Sequence, residues 1–170
     1  IILQSGVTLG GSVINTGDIK LLNGFKINNA TADGKIDIVT AKDLYVSAPA
    51  SGGVLDGTIY VGRNMKVDNS GARIGSVADP VDIYVHGDLD TQFANYYGVL
   101  YINGNLTVRG NANFYQPVYV NGNLDSSGGA RFHGGVNVVG DVVNLSGNAT
   151  GGPYEVTYGG SIAPDISVNY

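Results

Sequence analysis

The chain has 170 residues, 27 of them Gly and none Cys, and a formal net charge of −5. Nine Lys and Arg are too few for a nucleic-acid patch or a polybasic membrane contact. The lack of Cys excludes a disulfide framework, a thiolate nucleophile and Cys-bound zinc, and no apolar run approaches the roughly 18–20 residues of a spanning helix.

With 43% hydrophobic and only 14% charged residues, the chain is not a disordered polar tract. Short apolar runs separated by Gly and Asn predict an all-β protein with many tight turns. No segment has the periodicity of an amphipathic helix. The opening IILQSGVTLGG carries no signal peptide and reads as the interior of a larger protein, so a processed fragment is expected.

One seven-residue pattern recurs along the chain: apolar, Tyr, apolar, any residue, Gly, Asn or Asp, apolar. In order it appears as VINTGDI from Val13, IVTAKDL from Ile38, IYVGRNM from Ile59 and IYVHGDL from Ile83. It continues as LYINGNL from Leu100, VYVNGNL from Val118, VNVVGDV from Val136 and VTYGGSI from Val156. The middle five are close to the pattern, whereas the first two and the last are degenerate, as terminal repeats often are. The starts fall between 17 (Ile83 to Leu100) and 25 (Val13 to Ile38) residues apart, a spacing that solenoids use.

The agreement extends upstream. Ala94, Ala112 and Ala130 precede the starts at 100, 118 and 136 by the same distance, as do Tyr96, Phe114 and Phe132, and then Tyr97, Tyr115 and His133. At the first repeat Val7 and Leu9 occupy the first two of these columns. Such a repeat suits one coil of a β-solenoid. The expected fold is therefore a single-stranded β-solenoid of about eight coils over residues 1–170. Its expected hand is right, the hand of parallel crossovers.

Side chains alternate along a strand, so Leu100, Ile102 and Leu106, with Val118, Val120 and Leu124, are expected to face inward. Gly104 and Gly122 fall at corners, where positive φ costs Gly little. Asp18, Asp43, Asn64, Asp88, Asn105, Asn123 and Asp141 form a corner column able to hydrogen-bond turn backbone or one another. The longer spacings imply bulging insertions at Lys26–Lys35 and Asn69–Asp82. Pro49, Pro80, Pro117 and Pro153 are assigned to corners or loops, and the Pro-containing tail from Gly151 to a cap.

The second position of the pattern faces outward and holds Tyr60, Tyr84, Tyr101 and Tyr119. A second column, Tyr97, Tyr115 and His133, lies just before it across a corner, and Phe93 and Tyr45 are candidate extensions. Tyr combines a flat apolar face with a polar tip that suits sugar rings. A ladder of like residues is also a common structural device in sheets. The candidate ligand-binding residues are therefore Tyr60, Tyr84, Tyr97, Tyr101, Tyr115 and Tyr119.

Chemistry is harder to place. Asp79 with Asp82, or Asp88 with Asp90, are the nearest paired carboxylates for glycoside hydrolysis, and both pairs read better as corner residues. The basic residues form no column of the kind a polysaccharide lyase needs. His86 and His133 are not at zinc spacing, and no calcium-binding repeat occurs. Gly-x-Gly occurrences precede no helix and so are not phosphate loops. No catalytic residue, metal or cofactor is expected.

Runs such as VYVNGNL, strongest over Ile83–Asp141, resemble β-helical surface proteins associated with type IV pilus loci, the tāpirins. That resemblance implies a non-catalytic extracellular adhesin at the cell surface. Its partner would be cellulose or a related plant cell-wall glycan, with the remainder of the same surface protein beside it, and neither nucleic acid nor membrane insertion. Two alternatives stay open: a self-assembling scaffold of the bactofilin kind, and a polysaccharide lyase or hydrolase.

Overall fold

The computed structural model describes residues 1–27, 35–47, 56–68 and 71–145. Among them every regular element is a β-strand and there is no helix. The strands are short because Gly, Asn and Asp interrupt each apolar run within a few residues. They collect into stacked parallel sheets, an arrangement consistent with a β-helix or solenoid.

The chain visits the sheets in rotation. Leu100–Ile102 lies in a seven-stranded sheet, Leu106–Val108 in an eight-stranded sheet, and Asn113–Phe114 in a four-stranded sheet. The next strand, Val118–Val120, returns to the seven-stranded sheet and pairs with Leu100–Ile102. A two-stranded sheet of Thr8–Leu9 and Lys26–Ile27 follows the eight-stranded strands near the start of the chain.

The register reproduces the repeat. In the seven-stranded sheet Val13 pairs with Ile38, Ile38 with Ile59, Ile59 with Ile83, Ile83 with Leu100, Leu100 with Val118 and Val118 with Val136. Each pair joins equivalent positions, even across the degenerate copies. A slip of one residue would turn every apolar side chain outward, so burial fixes the register.

Alternation then builds the core. Ile83, Val85, Leu100, Ile102, Val118 and Val120 are fully buried from one sheet, and Leu89, Leu106 and Val108 from the next. From the four-stranded side Ala94, Ala112 and Ala130 alternate with Tyr96, Phe114 and Phe132, all buried. Leu9 is buried and Val7 packs against the same cluster, as their columns require. Each fully buried aliphatic side chain contributes about 1.5–3 kcal/mol. Tyr96, Phe114 and Phe132 stack with centroids 4.9 and 4.8 Å apart.

Three details differ from the sequence reading. Gly104 and Gly122 do not adopt positive φ, which among the described glycines is confined to Gly6, Gly24, Gly71, Gly75 and Gly135. Their requirement is space. A Cβ on Gly122 would lie 2.6 Å from the carbonyl oxygen of Gly104, and one on Gly104 the same distance from that of Gly87. Those corners are stitched by N–H donation from Gly122 to Gly104 and from Gly104 to Gly87, both 2.9 Å.

The stretch 69–82 is not wholly an inserted bulge. Arg73–Ile74 is a strand of the four-stranded sheet, paired with Asn95–Tyr96, and Asp82 opens the strand Asp82–Val85. The extra chain is the turn after Ile74, closed by the Ser76 N–H on the Asp79 carbonyl (2.8 Å) and the Asp79 N–H on Ser76 Oγ (2.9 Å). Likewise Lys26 belongs to a strand. Residues 28–34 of that expected insertion, together with Pro49, Pro153, the repeat from Val156 and the tail from Gly151, lie outside the described residues.

Pro80 and Pro117 sit between strands, as expected. The corner column is continuous. The backbone N–H of Asp43 donates to Asp18 Oδ1, that of Asn64 to Asp43, Asp88 to Asn64, Asn105 to Asp88, Asn123 to Asn105 and Asp141 to Asn123, at 2.7–3.2 Å. Where two carboxylates adjoin, at Asp18 and Asp43, Arg63 supplies the counter-charge, 2.6 Å from Asp43 and 3.9 Å from Asp18.

Candidate functional site

The outward positions of the seven-stranded sheet form one column: Ile14, Val39, Tyr60, Tyr84, Tyr101, Tyr119 and Asn137. The four Tyr rings stack nearly parallel. Their centroids are 4.9, 5.0 and 5.1 Å apart and their planes lie within 10°. This follows from the parallel register, which places like residues one strand spacing, about 4.8 Å, apart. The interior ring faces therefore cover one another, and what the column turns outward is a ridge of ring edges.

Polar rows flank that ridge. On one side Asn121 Nδ2 donates to Asn103 Oδ1 at 3.0 Å, and Asn103 Nδ2 lies 3.5 Å from His86 Nδ1. On the other, Asp82 Oδ1 accepts the N–H of Val99 at 2.9 Å. Burial within the stack, reinforced by Asp82 and the neighbouring phenols, pushes the Tyr84 hydroxyl above its ordinary pKa. Burial, then Tyr119 and Asp82, does the same for Tyr101.

The second aromatic column follows directly on the strands of the four-stranded sheet, one residue past each. Tyr97 and Tyr115 stack at 4.5 Å, and Tyr115 and His133 at 4.9 Å. The guanidinium carbon of Arg73 sits 5.1 Å from the Tyr97 ring centre, a cation–π contact. Burial and the adjacent Tyr97 raise the Tyr115 pKa, opposed by Arg131 and Arg73.

The six candidate Tyr thus form two stacks, Tyr60, Tyr84, Tyr101 and Tyr119 within the seven-stranded sheet and Tyr97 and Tyr115 at the ends of strands of the four-stranded one. Tyr45 does not join them. It lies in the eight-stranded sheet between Lys20 and Lys66. Phe93, with a left-handed φ of 51°, packs its ring over Gly110 instead of extending either stack.

Sequence reasoning missed the polar row beside Tyr97 and Tyr115. Arg73, Asn95, Asn113 and Arg131 are in register there, and Asn113 Nδ2 donates to Asn95 Oδ1 at 2.9 Å. Strict alternation from Tyr96, Phe114 and Phe132 would have located it. The two carboxylate pairs are dispersed into local roles. Asp79 closes its turn with Ser76, Asp88 belongs to the corner ladder, and Asp90 pairs with Arg109 at 2.8 Å. Among the described residues no three His, Cys, Asp or Glu gather as a metal site would require.

Comparison with protein-family models, with curated proteins and with solved structures yields no match. The functional reading therefore rests on the geometry of these columns. They offer a regular row of amphipathic ring edges, spaced at one strand interval and bordered by amides and a carboxylate.

Proposed function

We propose that this chain is a non-catalytic, extracellular cell-surface adhesin that holds insoluble plant polysaccharide, cellulose or a close relative, along its Tyr columns. In this reading the fold is a right-handed β-solenoid of about eight coils. The protein is tāpirin-like, and this chain is one part of a larger surface molecule. The observation that carries the reading is the stack Tyr60–Tyr84–Tyr101–Tyr119. Four large amphipathic side chains are held outward in one line, and the core does not use them.

The stacking modifies how sugars would be held. Interior rings have no free face, so a glycan chain meets ring edges and phenolic tips. The neighbouring Asn103, Asn121, Asn95 and Asn113 offer hydrogen bonds to hydroxyls. A flat, extended ligand gains from many such weak contacts at once, because each added contact raises avidity without a deep pocket.

The test is retention on cellulose, xylan and chitin, comparing the native chain with Tyr101→Ala plus Tyr119→Ala. Retention of the native chain on cellulose is expected to exceed that of the double variant roughly tenfold, a difference of about 1.4 kcal/mol. Equal retention of the two would sink the Tyr-column reading.

A further inference from the structure

The fold treats the four Arg of the chain in two ways. Arg63 and Arg109 are each matched to a carboxylate, Asp43 at 2.6 Å and Asp90 at 2.8 Å. Arg73 and Arg131 have no carboxylate partner among the described residues. These two unmatched cations stand in one row of the four-stranded sheet, with Asn95 and Asn113 in register between them. In a chain of net charge −5 this row is a local reversal of sign.

The row borders aromatic surface. Ile74, Tyr96, Phe114 and Phe132 are buried, so the residues on both sides of each point outward. On one side stands the row from Arg73 to Arg131. On the other the ladder runs on, with the N–H of Tyr97 on the Ile74 carbonyl, that of Tyr115 on Tyr96 and that of His133 on Phe114, at 2.8–3.1 Å. At Gly75 this second row has no side chain, and the Arg73 guanidinium lies over the Tyr97 ring, 5.1 Å from its centre. Tyr115 is 38% exposed, enough to meet a ligand. After burial and Tyr97, the charges acting on its hydroxyl are those of Arg131 and Arg73, and no carboxylate joins them. The acidic residues of the adjoining segments serve local bonds: Asp82 holds the Val99 N–H, Asp79 closes its turn with Ser76, and Asp90 pairs with Arg109.

The make-up of this face decides the ligand class. Planar guanidinia suit carboxylates, which they bind through two parallel hydrogen bonds. The amides between them suit hydroxyls, and the phenols beside them offer amphipathic edges to sugar rings. A neutral glucan has no group for either guanidinium. Three strand intervals, roughly 14 Å, separate the backbones at Arg73 and Arg131, a span that suits an extended chain and not a single sugar. We infer that this face binds an acidic polysaccharide, a chain of uronic-acid sugars whose carboxylates seat on Arg73 and Arg131 while its hydroxyls reach Asn95 and Asn113. The inference rests on the polysaccharide-binding reading and divides it. The ridge from Tyr60 to Tyr119 takes neutral glycan, and the face of Tyr97 and Tyr115 takes the acidic one.

The deciding experiment titrates polygalacturonate into the full chain by calorimetry, with cellulose retention measured in parallel. Fully methyl-esterified polygalacturonate, the same sugars without the charge, is expected to bind at least roughly tenfold more weakly. Arg73→Gln plus Arg131→Gln should lose at least roughly tenfold in polygalacturonate affinity while cellulose retention stays within about twofold. Arg73→Lys plus Arg131→Lys keeps the charge without the planar fork, and should recover part of the loss. Arg109→Gln plus Lys20→Gln makes the same change in net charge off this face, and should stay within about twofold of native. Raising salt from about 0.05 M to about 0.5 M should weaken polygalacturonate binding and spare cellulose retention. Melting curves confirm that each variant is folded.

Equal binding of the acid and its methyl ester overturns the inference, as does native affinity in the folded Arg73→Gln plus Arg131→Gln variant. An equal loss in the off-face variant, or equally tight binding of single-stranded DNA, overturns it too, since either shows a general charge effect. Cellulose retention keeps the two readings apart. Native chain held on cellulose but not by polygalacturonate leaves the Tyr60–Tyr119 ridge standing and removes the acidic face. Arg-dependent binding of polygalacturonate without retention on cellulose does the reverse.

Discussion

At the scale of single residues, Gly122 and Tyr96 show how the same position of the repeat is used differently from one copy to the next. Gly122 has an ordinary φ and is Gly because the next corner backbone is too close for a Cβ. Gly17 holds the same place in the first repeat, yet a Cβ there would meet only Asn15 Nδ2 at 3.5 Å. Gly122→Ala is therefore expected to cost about 1–3 kcal/mol by overpacking, and Gly17→Ala close to nothing. Thermal melts of the two variants compare them directly. Equal melting temperatures would contradict the close-approach account. In the core, Tyr96 stands in register between Ile74 and Phe114, and its hydroxyl lies 2.6 Å from Thr91 Oγ1, which stands in register between Val67 and Val108. Thr91→Val alone leaves the Tyr96 hydroxyl buried and unpaired, at a cost of about 1–3 kcal/mol. Adding Tyr96→Phe should restore most of that loss, and a double-mutant cycle in denaturant measures the coupling. The signal was present in the sequence, as two departures from the apolar columns within five residues, but only their contact shows that one answers the other.

At the scale of elements, the corner ladder and the Tyr stack arise from one cause, in-register parallel pairing. Each Asn or Asp oxygen of the corner accepts the backbone N–H of its equivalent in the next strand layer. Asn105→Ala removes the acceptor for Asn123 N–H and the Nδ2 donor to Asp88. Because these groups are exposed, the expected loss is modest, about 0.5–1.5 kcal/mol in urea unfolding. Faster hydrogen exchange should appear at the Asn123 amide first. A uniform increase along the chain would instead show that the ladder is not a set of local bonds. The corner column was legible because Asn and Asp recur at a fixed place in the repeat. The span 69–82 was misjudged because its strand, Arg73–Ile74, is only two residues long. So short a strand has too little alternation to announce itself, and its parallel partner Asn95–Tyr96 defines it.

At the scale of the whole molecule, the buried and stacked phenols give stability a definite pH dependence. Tyr96 is raised strongly by burial, and Tyr84, Tyr101 and Tyr115 are raised in the same direction, each first by burial. In the unfolded chain these groups ionise near pH 10. Below that, both states keep their protons and stability is undiminished. As the pH rises through about 10 toward the raised native values, only the unfolded state releases protons, and stability falls. The melting temperature should therefore drop between about pH 8 and about pH 11, and drop less in Tyr96→Phe plus Thr91→Val. The sequence by itself determined the all-β class, the repeat, its register, the inward columns and the identity of the outward Tyr. All of these follow from a period of two within strands and a recurring corner between them. Only the tertiary structure decided that the corner glycines serve close approach and that the Tyr faces cover one another. Those properties depend on distances between residues of different repeats, which periodicity along the chain does not contain.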